Sequence, residues 1–222
     1  ISFAAGAVLD GCGYTINITS GTITTDANSE QLFGGLMHSC AGTIKNLKIY
    51  STSILDQTRS SETNSRQGIG LVVGTLTGVI DNCYIEWAGS GSFYTAKKSS
   101  NSDGLLGGVC AANNGGTIQN TTVNLTTTLT FECSGNSGLN KNWDMWVGGF
   151  AGESNGSSSV FRNVTITGTS SGGLYNYQNG SSGGGYSDTG AIVGWISQNC
   201  TIDGVKIGGA FNVTSSTSKD NH

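Results

Sequence analysis

The sequence predicts an all-β fold, a single parallel β-helix running the length of the chain, and three observations carry that prediction. A short pattern returns at a near-constant interval: Gly-x-apolar-x-small begins at Gly34, Gly70, Gly107, Gly148 and Gly190, every 36 to 42 residues. Each is followed by an apolar hexapeptide, 44–49, 80–85, 118–123, 161–166 and 202–207. Self-similarity at such a period is the mark of a stacked repeat. The second observation is composition. Only 11% of the residues are charged, against roughly 25% in an ordinary globular chain, with 36 glycines and no proline. Proline would remove a ladder hydrogen bond from any interior strand, so its absence suits a chain made mostly of strand. Third, the apolar runs alternate with period two, are rich in β-branched residues and are bounded by Gly, Asn and Ser. No stretch carries a helical period.

Taken in order, residues 1–31 form an opening coil in which Val8 to Ile18 alternates weakly. Repeats follow from about 32, 69, 105, 147 and 190, so that residues 1–222 make one domain of about five to six coils. Each repeat holds two apolar strands and a looser third one, at 92–95, 129–131, 174–177 and 211–213, which gives three short strands per turn. Polar excursions at 56–67, 97–103, 133–144 and 172–189 fall at one point of the repeat, and should therefore gather as long loops on one face. That face is the first place to look for function.

Within the hexapeptides Asn46, Asn82, Asn120 and Asn163 share one repeat position, which the fifth repeat fills with Gly204. Stacked at the ~4.8 Å spacing of neighbouring strands, their amides would form a hydrogen-bonded ladder, expected here to face inward and fix register. The position before it reads Lys45, Asp81, Gln119, Arg162, Asp203, a solvated column in which Lys45 should neighbour Asp81 and Arg162 should neighbour Asp203.

The repeats resemble a known family. Leu-Phe-Gly-Gly-Leu with Gly-Thr-Ile-Lys-Asn-Leu, Gly-Leu-Val-Val-Gly with Val-Ile-Asp-Asn-Cys, and Trp-Val-Gly-Gly-Phe-Ala-Gly are similar to GLUG-type repeats of right-handed parallel β-helix surface proteins. The resemblance spans most of residues 8–213 and includes an opening Leu-Asp-Gly-Cys-Gly-Tyr-Thr-Ile. It implies a right-handed solenoid in a cell-surface or adhesin-like protein, and it supplies no catalytic motif.

Compartment is read from modification chemistry. Eight Asn-x-Ser/Thr acceptor sequences occur. Six of them, Asn17, Asn124, Asn155, Asn179, Asn199 and Asn212, fall on predicted turns and outer strands and should carry glycan, whereas Asn120 and Asn163 belong to the inward ladder and should not. Six cysteines lean the same way, as disulfides or buried thiols, with Cys12 and Cys40 the favoured pair because their coils adjoin. The chain opens on Ile-Ser-Phe without a basic leader, read as a secreted or surface protein whose targeting segment has been removed.

The remaining constellations weigh against chemistry. A net charge of −4 without a basic run offers nucleic acid no footprint, and no apolar run is long enough for a transmembrane helix. Carboxylates recur in register only at Asp81 and Asp203, so an enzyme, such as the polysaccharide-active ones this architecture also hosts, is not expected. His38 stands alone where other repeats place Gly74, Ala111, Gly152 and Gly194, and no metal or other cofactor is implied. Trp143, Trp146 and Trp195 with Tyr175, Tyr177 and Tyr186 make the candidate recognition surface, set against packing of the same rings onto the solenoid. The function expected is an extracellular, N-glycosylated structural protein whose units self-associate into a surface layer, appendage or filament. An adhesin module taking carbohydrate or protein on its loop face is the alternative.

Overall fold

The computed structural model describes residues 1–19, 31–52, 67–88, 91–94, 103–134, 144–179 and 186–217. Most of the four polar excursions lie outside these residues. Within them the chain is all-β, with no helix, and its strands stack in parallel as the coils of a β-solenoid. Each circuit visits up to five sheets, which we letter A to E in the order they are met from Gln31 onward.

Sheet A stacks Gln31–Gly34, Gln67–Gly70, Gly104–Gly107, Met145–Gly148 and Ser187–Gly190. Sheet B stacks Ser2–Phe3, Met37–Cys40, Val73–Leu76, Cys110–Asn113, Ala151–Ser154 and Val193–Ile196. Sheet C follows with Val8–Asp10, Thr43–Lys45, Val79–Asp81, Thr117–Gln119, Ser159–Arg162 and Cys200–Asp203. Sheet D holds Thr15–Ile18, Lys48–Ser51, Tyr84–Trp87, Thr122–Leu125, Thr165–Gly168 and Lys206–Ile207. Sheet E is shorter, with Gly91–Tyr94, Thr128–Ser134, Gly173–Asn179 and Asn212–Thr217.

Three strands per circuit had been expected, and the difference has a physical cause: each recurring motif bends in its middle. The Gly-x-apolar-x motif ends a sheet A strand at its glycine, turns through two residues and starts sheet B. A Cβ on Gly148 would run into the carbonyl oxygen of Ala151, and one on Gly70 into that of Val73. The reversal is therefore open only to glycine. The bend residues Leu71, Val109 and Phe150 bury completely in the core. Their backbones bond from coil to coil, Val109 N–H to Phe150 O at 3.0 Å and Phe150 N–H to Ile192 O at 2.9 Å. Because polar backbone groups are satisfied there as in a strand, the bend can sit in the interior.

Register is continuous down each sheet. In sheet C, Leu9, Ile44, Ile80, Ile118, Phe161 and Ile202 stand one above another; in sheet D, Ile16, Ile49, Ile85, Val123, Ile166 and Ile207 do. From Ile44 to Phe161 and from Ile49 to Ile166 these columns fill the main core together with Trp87, whose indole N–H donates to the Gly108 carbonyl at 3.3 Å. Lys45 aligns with Asp81 and Arg162 with Asp203, as the outer column required. Lys45 Nζ itself reaches the carboxylate of Asp10 on its other side, at 3.2 Å, while Arg162 Nε lies 3.8 Å from Asp203.

Sheet B also packs directly against sheet A, which makes a second, thinner core of Leu32, Leu105, Ala111, Ala112 and Trp146. The small column Gly74, Ala111, Gly152 and Gly194 lies between the two sheets. A Cβ on Gly74 would strike the Leu32 carbonyl and one on Gly152 would meet Leu105 Cβ at 3.0 Å. His38, the large member of that column, lies within the strand Met37–Cys40, exposed, with its ring 6.1 Å from that of Phe33.

Candidate functional site

The corner between sheets C and D is the most regular polar feature of the described solenoid. There the chain turns through one residue of positive φ in five coils, Asn46 at 54°, Asn82 at 50°, Asn120 at 49°, Asn163 at 51° and Gly204 at 65°, while the longer opening corner takes two, Cys12 at 49° and Gly13 at 79°. An ordinary L-residue is strained in this region, whereas glycine and, to a lesser extent, asparagine are tolerated. The corner's N–H groups bond to the next coil, Asn163 to the Asp203 carbonyl at 2.8 Å and Asn120 to that of Arg162 at 3.0 Å.

The asparagine amides stack, but on the outside. Asn82 Nδ2 donates to Asn46 Oδ1 at 2.8 Å, Asn46 Nδ2 to Asp10 Oδ1 at 3.0 Å and Asn163 Nδ2 to Asn120 Oδ1 at 3.3 Å. Asn120 Nδ2 departs from the series and donates to Asp81 Oδ1 at 2.8 Å. Asn82, Asn120 and Asn163 are exposed and Asn46 half-buried, so the inward orientation expected from the sequence is corrected. The left-handed backbone swings the side chain outward. The residue after it, Leu47, Cys83, Thr121 or Val164, is the one buried. Cys83 and Thr121 close this turn alike, each donating to the carbonyl two residues before it, Asp81 O from the thiol at 3.3 Å and Gln119 O from the hydroxyl at 2.7 Å. The sequence did hold a sign of the true geometry. Exchange of Asn for Gly204 in one column is what a positive φ selects, whereas a buried amide ladder has no use for glycine.

Asp10 ends the ladder. The Asn46 amide, the backbone N–H of Cys12 at 2.9 Å and the Lys45 ammonium hold its carboxyl down at about 2, well below the usual carboxylate range. Beside the ladder runs a shallow groove of about 430 Å³, lined by Asn46, Asn82, Asn120, Lys48, Tyr84 and Thr122 among others. Its lining mixes these polar side chains with Leu47 and Cys83, and Lys48 is its charged member. Tyr84 is already committed: its hydroxyl donates to Glu86 Oε2 at 2.6 Å and accepts from Asn124 Nδ2 at 3.0 Å.

A direct test separates the backbone role of the corner from its ladder bond. Asn82→Ala should cost about 1–2 kcal/mol, the left-handed strain of an ordinary residue, plus its share of the lost amide bond. Asn82→Gly loses the same bond without the strain. Urea midpoints should rank wild type, then glycine, then alanine; equal losses in the two variants would assign the effect to the hydrogen bond alone.

The other residues singled out by sequence are dispersed. Trp146 is only 7% exposed and stacks on Trp195 with ring centroids 5.5 Å apart, so it serves the packing of sheet A on sheet B; of the same candidate surface Trp195 is 42% exposed and Tyr186 51%. Tyr175 is half-buried in sheet E, Tyr177 is placed there by its backbone, and Trp143 lies outside the described residues. Cys12 and Cys40 are free thiols, which corrects the expected pair: Cys12 sits on the exposed corner between sheets C and D, whereas Cys40 is buried in sheet B. Burial pushes the thiols of Cys40, Cys83 and Cys110 up, away from reactive thiolate character. Of the acceptor asparagines, Asn17, Asn199 and Asn212 are exposed, Asn124 and Asn155 half-buried, and Asn179 is placed by its backbone at the end of a sheet E strand. Asp81 and Asp203 stand three coils apart in the outer column, each with its own partner, Asn120 and Arg162. No helix of the described residues is long and apolar enough to cross a membrane. Compared with protein-family models, with curated proteins and with solved structures, the chain finds no match in any of the three.

Proposed function

We propose that this chain is an extracellular, N-glycosylated structural protein of the GLUG-repeat kind, a right-handed β-helix of five to six coils. Its units stack into a cell-surface layer, appendage or filament. The observation that supports this reading is the coil of Val193–Ile196, Cys200–Asp203 and Lys206–Ile207. It leaves the edges of sheets B, C and D unpaired among the described residues and carries exposed Ile196, Ile202 and Ile207. Those isoleucines continue the inward columns of the core. A row of bare strand edges over an apolar layer is a template for another coil. At the opposite edge of the same sheets, Phe3, Leu9 and Ile16 occupy the same columns. Contact between unlike ends is heterologous and, without ring closure, propagates as a fibre.

The adhesin alternative draws on Tyr186 and on the outer ring of Trp195, both accessible beside sheets A and B. Electron microscopy of native material separates the two. The structural reading expects fibres or sheets in which the solenoid axis runs unbroken from unit to unit. Dispersed particles whose sheet edges are covered by more of the same polypeptide would exclude stacking and favour the adhesin.

A further inference from the structure

We propose that Asn163 carries an N-linked glycan, so that carbohydrate is displayed from the C–D corner as well as from turns and outer strands. The proposal rests on the extracellular reading above. Asn163-Val164-Thr165 meets the acceptor pattern, and the corner presents its amide to solvent at a φ of 51°. Only one hydrogen of Asn163 Nδ2 is engaged among the described residues, in the 3.3 Å bond to Asn120 Oδ1. On the other side the column has no side chain, because the next coil places Gly204 there; a Cβ at that position would come within 2.5 Å of Asn163 Oδ1. Asn163 is thus the last amide of the ladder, its Oδ1 close against the Gly204 backbone and its side chain exposed to solvent.

The modification exchanges one hydrogen for sugar and keeps the other. Transfer from a polyprenyl-diphosphate-linked oligosaccharide breaks the C1–O bond of the donor and forms Nδ2–C1. A proton passes from Nδ2 to a base of the transferase, and polyprenyl diphosphate leaves with the bonding electrons. The N–H that remains can still donate to Asn120, so glycan and ladder are compatible. Asn120, one coil away, makes the contrast. Its sequence is also an acceptor, but its Nδ2 is held by the Asp81 carboxylate at 2.8 Å and its Oδ1 accepts from Asn163. Occupancy at Asn163 should therefore exceed that at Asn120.

The full chain, secreted from a eukaryotic cell line, provides the test. Enzymatic release of N-glycans in ¹⁸O-water converts each occupied Asn to labelled Asp, read by peptide mass. The peptide holding Asn163 should be labelled in most secreted molecules. Thr165→Ala should remove one glycan step from the gel mobility while retaining Asn163 itself, and the wild-type map decides the matter even if that variant folds poorly. An unlabelled Asn163 in secreted chain whose Asn17 or Asn212 is labelled overturns the proposal, and so does a chain without label at any acceptor. Either result leaves the extracellular reading to its own test on native material.

Discussion

Gly148→Ala should destabilise the solenoid by about 3 kcal/mol or more, the upper range for overpacking, because backbone rather than a flexible side chain blocks the added methyl. The new Cβ would meet the Ala151 carbonyl oxygen and, from the next coil, the Gly194 nitrogen at 2.7 Å. Neither can move without opening the bend, whose Phe150 N–H is bonded to Ile192 O. Phe150 is wholly buried beyond that bend, so opening it also exposes the core. Gly208→Ala is the control: its Cβ would find only Thr167 Oγ1, at 3.8 Å, and the change should stay within about 0.5 kcal/mol. Chemical denaturation of both variants at one protein concentration measures the contrast. Equal midpoints would mean that the recurring glycine marks the repeat without shaping it.

The sequence reading recovered what a period can carry. The inward columns through Ile44 and Ile49, the alignment of Lys45 with Asp81, and the parallel stacking follow from the spacing alone, because a slip by one residue would turn every isoleucine outward. Bends are harder to see. Ile44 to Ile49 reads as one apolar strand, yet Asn46 breaks it at a corner, and Leu47 stays buried only because that corner resets the alternation. Hydrophobicity alone does not distinguish a straight strand from two short ones whose phases happen to agree. The same limit hid the packing of sheet B on sheet A. Gly74, Ala111, Gly152 and Gly194 are small at one repeat position, and only the folded chain shows that they admit a second sheet at close range. At the ladder the residues and their stacking were legible but the direction was not, since the sign of φ shows in the sequence only through Gly204.

Replacing both Ile202 and Ile207 by lysine should abolish end-to-end association while leaving the single unit folded. These side chains are 44% and 63% exposed, so the isolated unit already holds them partly in water and loses little when they change. Under a docked coil they would be enclosed as Ile44, Ile80, Ile49 and Ile85 are one or more coils inside, each with at most 1% exposure. Fully burying an isoleucine stabilises by about 1.5–3 kcal/mol, so covering the exposed half of each supplies roughly 1.5–3 kcal/mol of the contact from the pair. Their loss alone weakens association by at least about tenfold. Lysine adds a desolvation penalty on top, and the carboxylate of Asp203, next to Ile202 in sequence, is already paired with Arg162. Light scattering as a function of concentration reads the association, and thermal unfolding of the dilute protein checks the fold. Growth of particles with concentration in wild type, absent in the double variant at an unchanged melting temperature, is the result expected. Association that persists unaltered in the double variant would place the contact on another face, and the surface bearing the exposed Tyr186 and Trp195 would be the next to test.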